Sequence, residues 1–241
     1  MKSKTSRGPG AELRARALTK IKAQPTLNLI IVVLFILERA AKLFANVTGT
    51  YADMAIGAVI RLALALVFAG LACVSMAAWR EGKSGWGGVF VCFRDGKRCA
   101  RALCAGIFAV LAGIAGDIFQ GYLPGFPGAT IALALDAVAA MILKYSVFAG
   151  ELDPQLGAVG CVKSGISALV KNIGKVLAME IALYWWVLLL VAAVVLIAGA
   201  ASASFIATRI AVFFVMLLVK WAAGGFIALS EAGLARGIMR E

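Results

Sequence analysis

The sequence predicts an all-α fold, an integral membrane bundle of six transmembrane helices with basic amphipathic cytoplasmic elbow helices. Of the 241 residues, 63% are hydrophobic and 15% are charged, whereas a soluble domain is about half apolar and about a quarter charged. The apolar residues form six runs of the length that crosses a membrane. The charged residues are concentrated in every second connection between those runs.

The six runs are separated alternately by short turns and by longer basic segments. They cover approximately residues 27–47, 54–79, 101–121, 129–149, 174–199 and 205–229. Each run is close to the roughly 20 residues that a helix needs to cross the hydrocarbon core. The predicted organisation is a basic cytoplasmic tail or elbow at 1–26, a six-helix transmembrane domain at 27–230 and a short cytoplasmic tail at 231–241.

The first run is interrupted by charges in the stretch LFILERAAKLF, residues 34–44. A helix that stopped at Leu37 would leave too few apolar residues to cross the membrane. If the helix continues to about Val47, Glu38 lies one turn before Lys42, in the order that favours an ion pair. The stretch is therefore predicted to be the polar middle of a real span.

The distribution of basic residues predicts the orientation of the chain. The turns near 48–53, 122–128 and 200–204 contain no Lys or Arg, whereas both terminal segments and the two long connections contain most of the 24 basic residues. Because Lys and Arg are enriched in cytoplasmic loops, both termini and both long connections are predicted to be cytoplasmic. The N-terminal segment does not have the form of a signal peptide. We therefore expect a multi-pass protein of the cytoplasmic (inner) membrane.

The net charge of +12 is interpreted as contact with anionic lipid headgroups rather than with nucleic acid, because the basic residues adjoin apolar spans. The residues predicted to make this contact are Arg80, Lys83, Arg94, Lys97, Arg98, Arg101, Lys163, Lys171 and Lys175. The two long connections also resemble each other at 88–106 and 157–175, with the N-terminal segment as a weaker third copy. If this similarity is an internal repeat, the repeated unit is a basic elbow followed by a helical hairpin. The alternative is that the two connections are not repeats and have similar residues because they have the same role.

Charged residues inside the spans are the candidate functional residues, because a charge in the hydrocarbon core is costly unless it is paired or hydrated. The predicted buried polar network consists of Glu38, Lys42, Arg61, Asp136, Lys144, Glu180 and Lys220. Glu38 and Arg61 fall at similar depths in adjacent antiparallel helices. Glu180 and Lys220 do the same in the last hairpin, with Lys144 near their level. These groups either line a path for an ion or substrate or form structural ion pairs that fix helix register.

The sequence lacks the residues and motifs on which most enzymes depend. There is no histidine, which is the commonest general base and metal ligand, and no P-loop, dinucleotide-binding or H-E-x-x-H motif is found. We therefore expect a protein that is not an enzyme, with no catalytic residue, no metal site and no cofactor. The five cysteines form no C-x-x-C pair and are interpreted as small, reduced residues.

The middle of the chain carries a series of short motifs, over about residues 85–175. They are FRDGKRCARALCAGI before the third span, LPGFPG at its outer turn and KYSVFAGELDPQLGAVGCVKSGISALVKNIGKVL after it. In this region the chain resembles the six-span bacterial membrane proteins of the YciC-like and glycerophosphodiesterase-membrane-domain-like group. The residues that carry the resemblance are Pro124, Gly125, Asp153, Pro154, Ser167, Leu169 or Val170, Lys171 and Asn172. The resemblance implies the six-span architecture; the charged first span and the missing aromatic residue after Asn172 depart from the pattern of the group.

Two function classes remain open on the sequence alone. The first is a transporter or permeation protein for a small ion or an amphiphile, using the buried charged residues. The alternative is a membrane scaffold or envelope-homeostasis factor that binds lipid or partner proteins and transports nothing. Stretches of small residues at 109–116, 198–204 and 222–225 favour close helix packing, either within one chain, in a homo-oligomer or with a membrane protein partner.

Overall fold

A computed structural model describes residues 9–22, 24–44, 51–123, 126–200 and 204–239. These residues form ten helices and no strand, so the predicted all-α fold is confirmed. The helices are α1 (Pro9–Lys22), α2 (Pro25–Phe44), α3 (Tyr51–Glu81), α4 (Trp86–Val89), α5 (Val91–Arg94), α6 (Gly96–Tyr122), α7 (Phe126–Leu152), α8 (Ala158–Lys171), α9 (Ile173–Ala200) and α10 (Phe205–Ile238).

Five helices, α3, α6, α7, α9 and α10, are long and apolar enough to cross a membrane. A sixth span results if α1 and α2 are counted as one bent pair, with an angle of 92° between them. The protein is therefore a polytopic membrane protein. The helix α2 continues through Glu38 to Phe44, so the charges of the first span lie within a helix and do not end it.

Local sequence signals explain several helix ends. The helix α3 is followed by Gly82 with φ of 73°, a conformation that glycine adopts readily after a helix C-terminus. Asp95 caps α6 by accepting hydrogen bonds from the backbone N–H groups of Lys97 and Arg98, and Ser204 caps α10 by accepting one from Ala207. These caps satisfy amide groups that have no partner within the first turn of a helix.

The chain is organised as three consecutive units, each a short helical elbow followed by a helical hairpin. In the first unit α1 precedes α2 and α3, in the second α4 and α5 precede α6 and α7, and in the third α8 precedes α9 and α10. Each elbow packs against the second helix of another hairpin: α4 and α5 against α3, α8 against α7, and α1 against α10. The three units are therefore arranged in a closed cycle, with all elbows at one end of the bundle, which we call the elbow end.

The second helices of the three hairpins, α3, α7 and α10, contact one another at the centre. The core at the elbow end is made mainly by these helices and includes Met76, Tyr145, Phe148 and Leu229, each at most 1% exposed. The first helix of each hairpin lies outside them. The helix α10 continues to Ile238 with Ala232 and Ala235 fully buried, so most of the segment predicted as a tail at 231–241 is part of the bundle.

Candidate functional site

A group of charged side chains lies where α7, α9 and α10 approach one another. Lys144 of α7 forms an ion pair with Glu231 of α10, with Nζ 2.7 Å from Oε1. Glu180 of α9 lies close enough to interact electrostatically with Glu231, Lys144 and Lys220. The structure thus brings together three residues that the sequence singles out, and it adds Glu231, which the sequence reasoning missed.

A tyrosine completes this group of side chains. The Tyr184 hydroxyl of α9 donates a hydrogen bond to Glu231 Oε1 at 3.5 Å. We call the five residues Lys144, Glu180, Tyr184, Lys220 and Glu231 the charge cluster. It contains two basic and two acidic side chains.

The charge cluster is only partly accessible. The Glu231 side chain is 7% exposed, whereas Lys144 keeps 27% of its side-chain surface exposed. Tyr145 and Leu183, the sequence neighbours of Lys144 and Tyr184, are each 1% exposed. Charges in such surroundings interact more strongly than in water, because the effective dielectric constant is lower. The cluster is therefore held together by the pairing of its own groups.

Three charged residues lie along one face of α10. Arg209, Lys220 and Glu231 are spaced by 11 residues, which is close to three helical turns, so they share one face. At a rise of 1.5 Å per residue this α10 charge series extends over about 33 Å, comparable with the roughly 30 Å of the hydrocarbon core. Lys220, in the middle, also interacts electrostatically with Glu38 and Arg39 of α2. Ionisable groups therefore follow α10 from the elbow end toward the opposite end.

The other residues of the predicted network lie elsewhere. Arg61 of α3 forms an ion pair with Asp117 of α6, with Nη2 3.0 Å from Oδ2, and the sequence reasoning did not pair these two residues. The side chain of Lys42 lies outside the described part of the chain. Asp136, predicted to be buried, is exposed on α7. Helical periodicity places Asp136 on the face of the buried Ala132 and Ala139, but residues 133, 134, 137 and 138 are exposed as well. The physical reason is therefore that packing around α7 at this level is too sparse to cover a side chain longer than alanine.

Arg101, predicted to contact lipid, is 8% exposed and is directed into the protein. Its guanidinium donates hydrogen bonds of 2.6 to 3.1 Å to the carbonyl oxygens of Gly150, Pro154 and Leu156. The last carbonyl groups of a helix have no partner within the helix, and α7 ends at Leu152. Arg101 of α6 therefore caps α7 and fixes the turn that follows.

Arg98, also predicted to contact lipid, is paired within the protein. Its Nε and Nη2 lie 2.7 and 3.1 Å from the two carboxylate oxygens of Glu151, the two-pronged geometry typical of arginine and carboxylate. A small cavity beside this pair is also lined by Cys73 and Cys92.

In α8, burial raises the pKa of the Cys161 thiol, so this thiol is protonated at neutral pH and is a poor nucleophile.

The remaining residues predicted to contact anionic lipid are exposed at the elbow end of the molecule. They are Arg80, Lys83, Arg94, Lys97, Lys163, Lys171 and Lys175. Their exposure allows lipid contact but does not test it, so this contact stays a prediction. Within the described ranges, no three His, Cys, Asp or Glu side chains are placed to share a metal ion.

The residues missed by the sequence reasoning had recognisable signals. Glu231 follows Lys220 by three helical turns, and Tyr184 follows Glu180 by one turn. Both spacings place side chains on one helix face.

No known protein family, curated protein or solved structure matches the chain. The resemblance of residues 85–175 to the YciC-like group stays a prediction, and the candidate site is argued from its own geometry.

Proposed function

We propose that this polytopic membrane protein is a transporter or permeation protein, which carries a small ion or the polar part of an amphiphile along α10. The α10 charge series is the observation that supports this function most directly. Ionisable groups within the hydrocarbon core are costly and mark pathways in many membrane proteins. Arg209, Lys220 and Glu231 offer a passing charge three successive partners on one face of a helix.

The charge cluster supplies the chemistry of the proposed path. Its acidic and basic side chains offer a passing ion or headgroup of either sign a partner of opposite charge. Lys144 contacts Glu231 directly, so an anionic group that reaches Lys144 would take the place of the Glu231 carboxylate. Glu180, which interacts electrostatically with Lys144, would remain as the nearby acidic side chain.

The proposed location is the cytoplasmic (inner) membrane, with both termini in the cytoplasm. The exposed basic residues at the elbow end support this orientation, because Lys and Arg accumulate on the cytoplasmic side. We also propose that these residues bind anionic lipid headgroups, at about 1 kcal/mol for each basic residue near the membrane surface.

Flux measurements in proteoliposomes test the proposal. The purified protein is reconstituted, and movement of protons, sodium, potassium and chloride is followed with ion-sensitive dyes. If Glu180 is on the path, Glu180→Gln should lower the flux by about tenfold or more, the effect expected for loss of one charged contact. Asp117→Asn is the matched control, since Asp117 pairs with Arg61 away from the α10 charge series, and it should leave the flux unchanged.

A scaffold without transport is the second candidate function. The observation that favours it is the direct pairing of opposite charges, at 2.7 Å for Lys144 and Glu231. Such pairs need no substrate to balance them and can fix the register between helices. If Glu180→Gln lowers the unfolding temperature of the detergent-solubilised protein and neither a tested ion nor a fluorescent phospholipid crosses the membrane, the scaffold function replaces the transport function.

A further inference from the structure

The cyclic arrangement of the three hairpins is broken at one place. The helix α2 packs between α3 and α10, and α6 packs between α7 and α3. The corresponding place for α9 would be between α10 and α7. In the described part of the chain α9 packs along α10 and touches α8, but it makes no comparable contact with α7. The helices α7 and α9 are therefore not packed against each other along their length, and we call the space between them the cleft.

The charge cluster lies at the base of this cleft. Lys144 comes from one side of it and Glu180 and Tyr184 from the other, and Glu231 lies between them on α10. Lys144 is eight residues from the end of α7, or about 12 Å from the elbow end at 1.5 Å per residue. Charged side chains therefore close the cleft at that depth, and the cleft continues from there toward the opposite end.

The α7 wall of the cleft is apolar and open. Leu133, Ala137 and Ala140 precede Lys144 by 11, seven and four residues, so they lie on the same face of α7. All three are exposed, Leu133 at 70%. From Lys144 to Leu133 this face extends about 16 Å, close to half of the roughly 30 Å hydrocarbon core.

The α9 wall has the same character. Leu188 and Val195 follow Tyr184 by four and 11 residues, which places them on the face that carries Tyr184. They are 70% and 47% exposed. The cleft thus combines two apolar walls with a polar base that contains charges of both signs.

We propose that this cleft binds one phospholipid with a zwitterionic headgroup, which enters sideways from the bilayer. The proposal rests on the same charge cluster as the proposed function and names its ligand class. With two acidic and two basic side chains, the cluster attracts neither a purely anionic nor a purely cationic headgroup through its net charge. A headgroup that contains both a phosphate and an amine can place its phosphate at Lys144 and its ammonium group at Glu180. The acyl chains then lie along the walls formed by α7 and α9.

Lipid retention by the purified full-length protein tests this proposal. The protein is mixed in detergent with equal amounts of a phosphatidylethanolamine, a phosphatidylglycerol and a diacylglycerol of the same acyl chains, and bound lipid is counted by native mass spectrometry. At a salt concentration that screens anionic lipid binding by the exposed elbow surface, the wild-type protein should retain one phosphatidylethanolamine preferentially. Lys144→Met and Glu180→Gln should each reduce this retention by about tenfold, the loss of one charged contact, and Asp117→Asn should not.

A second variant tests the cleft without changing a charge. Ala140→Trp adds a bulky side chain to the exposed face of α7, one turn from Lys144, and should displace the lipid while the unfolding temperature is unchanged. A phosphatidylethanolamine with a photoreactive acyl chain should label peptides of α7 and α9 in the wild-type protein. Equal retention of all three lipids, retention unaffected by Ala140→Trp, or labelling elsewhere would overturn the proposal.

The outcomes separate this inference from the proposed function. Preferential retention without flux of any tested ion would support the lipid-binding cleft and overturn ion permeation. Ion flux that depends on Glu180, without preferential retention, would overturn the cleft and leave the proposed function intact. Phosphatidylglycerol bound by the exposed elbow surface should be released by Arg94→Gln; release of phosphatidylethanolamine by the same variant would place that lipid on the elbow surface and overturn the cleft.

Discussion

Lys144 of α7 and Glu231 of α10 form an ion pair with Nζ 2.7 Å from Oε1, and this pair joins two helices that otherwise touch only slightly. Two charges lose much hydration when they are buried, so such a pair contributes little net stability compared with well-packed apolar residues. Its stronger effect is to fix the register of α7 against α10, because either charge alone would lack a neighbour of opposite sign at that distance.

Removal of one partner should therefore be costly. Glu231→Ala leaves Lys144 without its ion-pair partner and should lower the free energy of unfolding by about 3 kcal/mol, the lower end of the range found for broken buried pairs. Denaturation of the protein in detergent micelles, followed by circular dichroism, measures this change. The double variant Lys144→Met, Glu231→Leu should recover most of the loss, because neither charge remains to be buried.

The ion pair of Arg61 and Asp117 is more exposed than that of Lys144 and Glu231 and should contribute less to stability. The two side chains are 30% and 53% exposed, and exposed ion pairs contribute about 0 to 1 kcal/mol. Asp117→Asn should therefore change the free energy of unfolding by no more than that. A loss as large as that of Glu231→Ala would contradict the difference in burial on which both expectations depend.

The sequence allowed the membrane class and the helix pattern to be predicted, because both follow from the length and spacing of apolar runs. It also indicated that Lys144, Glu180 and Lys220 lie at similar depths in the membrane. It did not reveal Glu231, because the apolar run ends near residue 229 whereas α10 continues to Ile238. Helix length in this region depends on packing against α1, which no local pattern shows.

The rotation of each helix about its own axis was the second feature that the sequence did not allow us to predict. Depth in the membrane follows from residue counting, and for that reason Glu38 and Arg61 were expected to lie level. Contacts also depend on which face of each helix is turned inward, and Arg61 of α3 is turned toward Asp117 of α6. Arg101 shows the same limit, since its position in a basic segment gave no sign that its guanidinium is directed toward the end of α7.

Arg101 should be important for stability. Arg101→Ala removes donors from the carbonyl groups of Gly150, Pro154 and Leu156 and should lower the free energy of unfolding by about 3 kcal/mol, since hydrogen bonds from charged groups are worth about 1.5 to 3 kcal/mol. Arg101→Lys should recover little, because a single ammonium group cannot reproduce the guanidinium geometry. Arg94→Ala, an exposed control, should change it by less than about 0.5 kcal/mol. Chemical denaturation in micelles distinguishes these variants.

Exposed basic residues of the elbows should instead affect lipid binding. The double variant Arg94→Gln, Lys97→Gln should weaken binding of anionic lipid to the intact protein by about 2 kcal/mol at low salt, at roughly 1 kcal/mol per basic residue near the membrane surface. Titration of the detergent-solubilised protein with anionic and zwitterionic lipids, monitored by native mass spectrometry, measures the difference. Added salt should weaken anionic binding to the wild-type protein more than to the variant. Equal loss for both lipid types would rule out an electrostatic contact.

Each elbow is docked through a close approach that leaves little room for a side chain. Gly70 of α3 lies against the backbone of Val89 in α4, and Gly233 of α10 lies against Leu13 of α1. Gly165 of α8 lies against the backbone of Ser146 in α7, where an added Cβ would be 2.6 Å from the amide nitrogen. A glycine therefore allows the close contact of all three elbows. In two of these contacts the glycine belongs to the hairpin helix, and in the contact of α8 it belongs to the elbow.

Substitution of these glycines should separate elbow docking from helix formation. Gly165→Ala must push α8 away from α7, because the neighbouring atoms are backbone and cannot rotate aside, so it should lower the free energy of unfolding by about 1 to 3 kcal/mol. Gly174→Ala in α9 meets no atom within 4 Å and should leave the stability unchanged or raise it by up to about 1 kcal/mol, since alanine favours helix. Denaturation in micelles gives both values. If the two variants behave alike, the elbow α8 is not held by this contact, because helix propensity alone would then account for the effect of both substitutions.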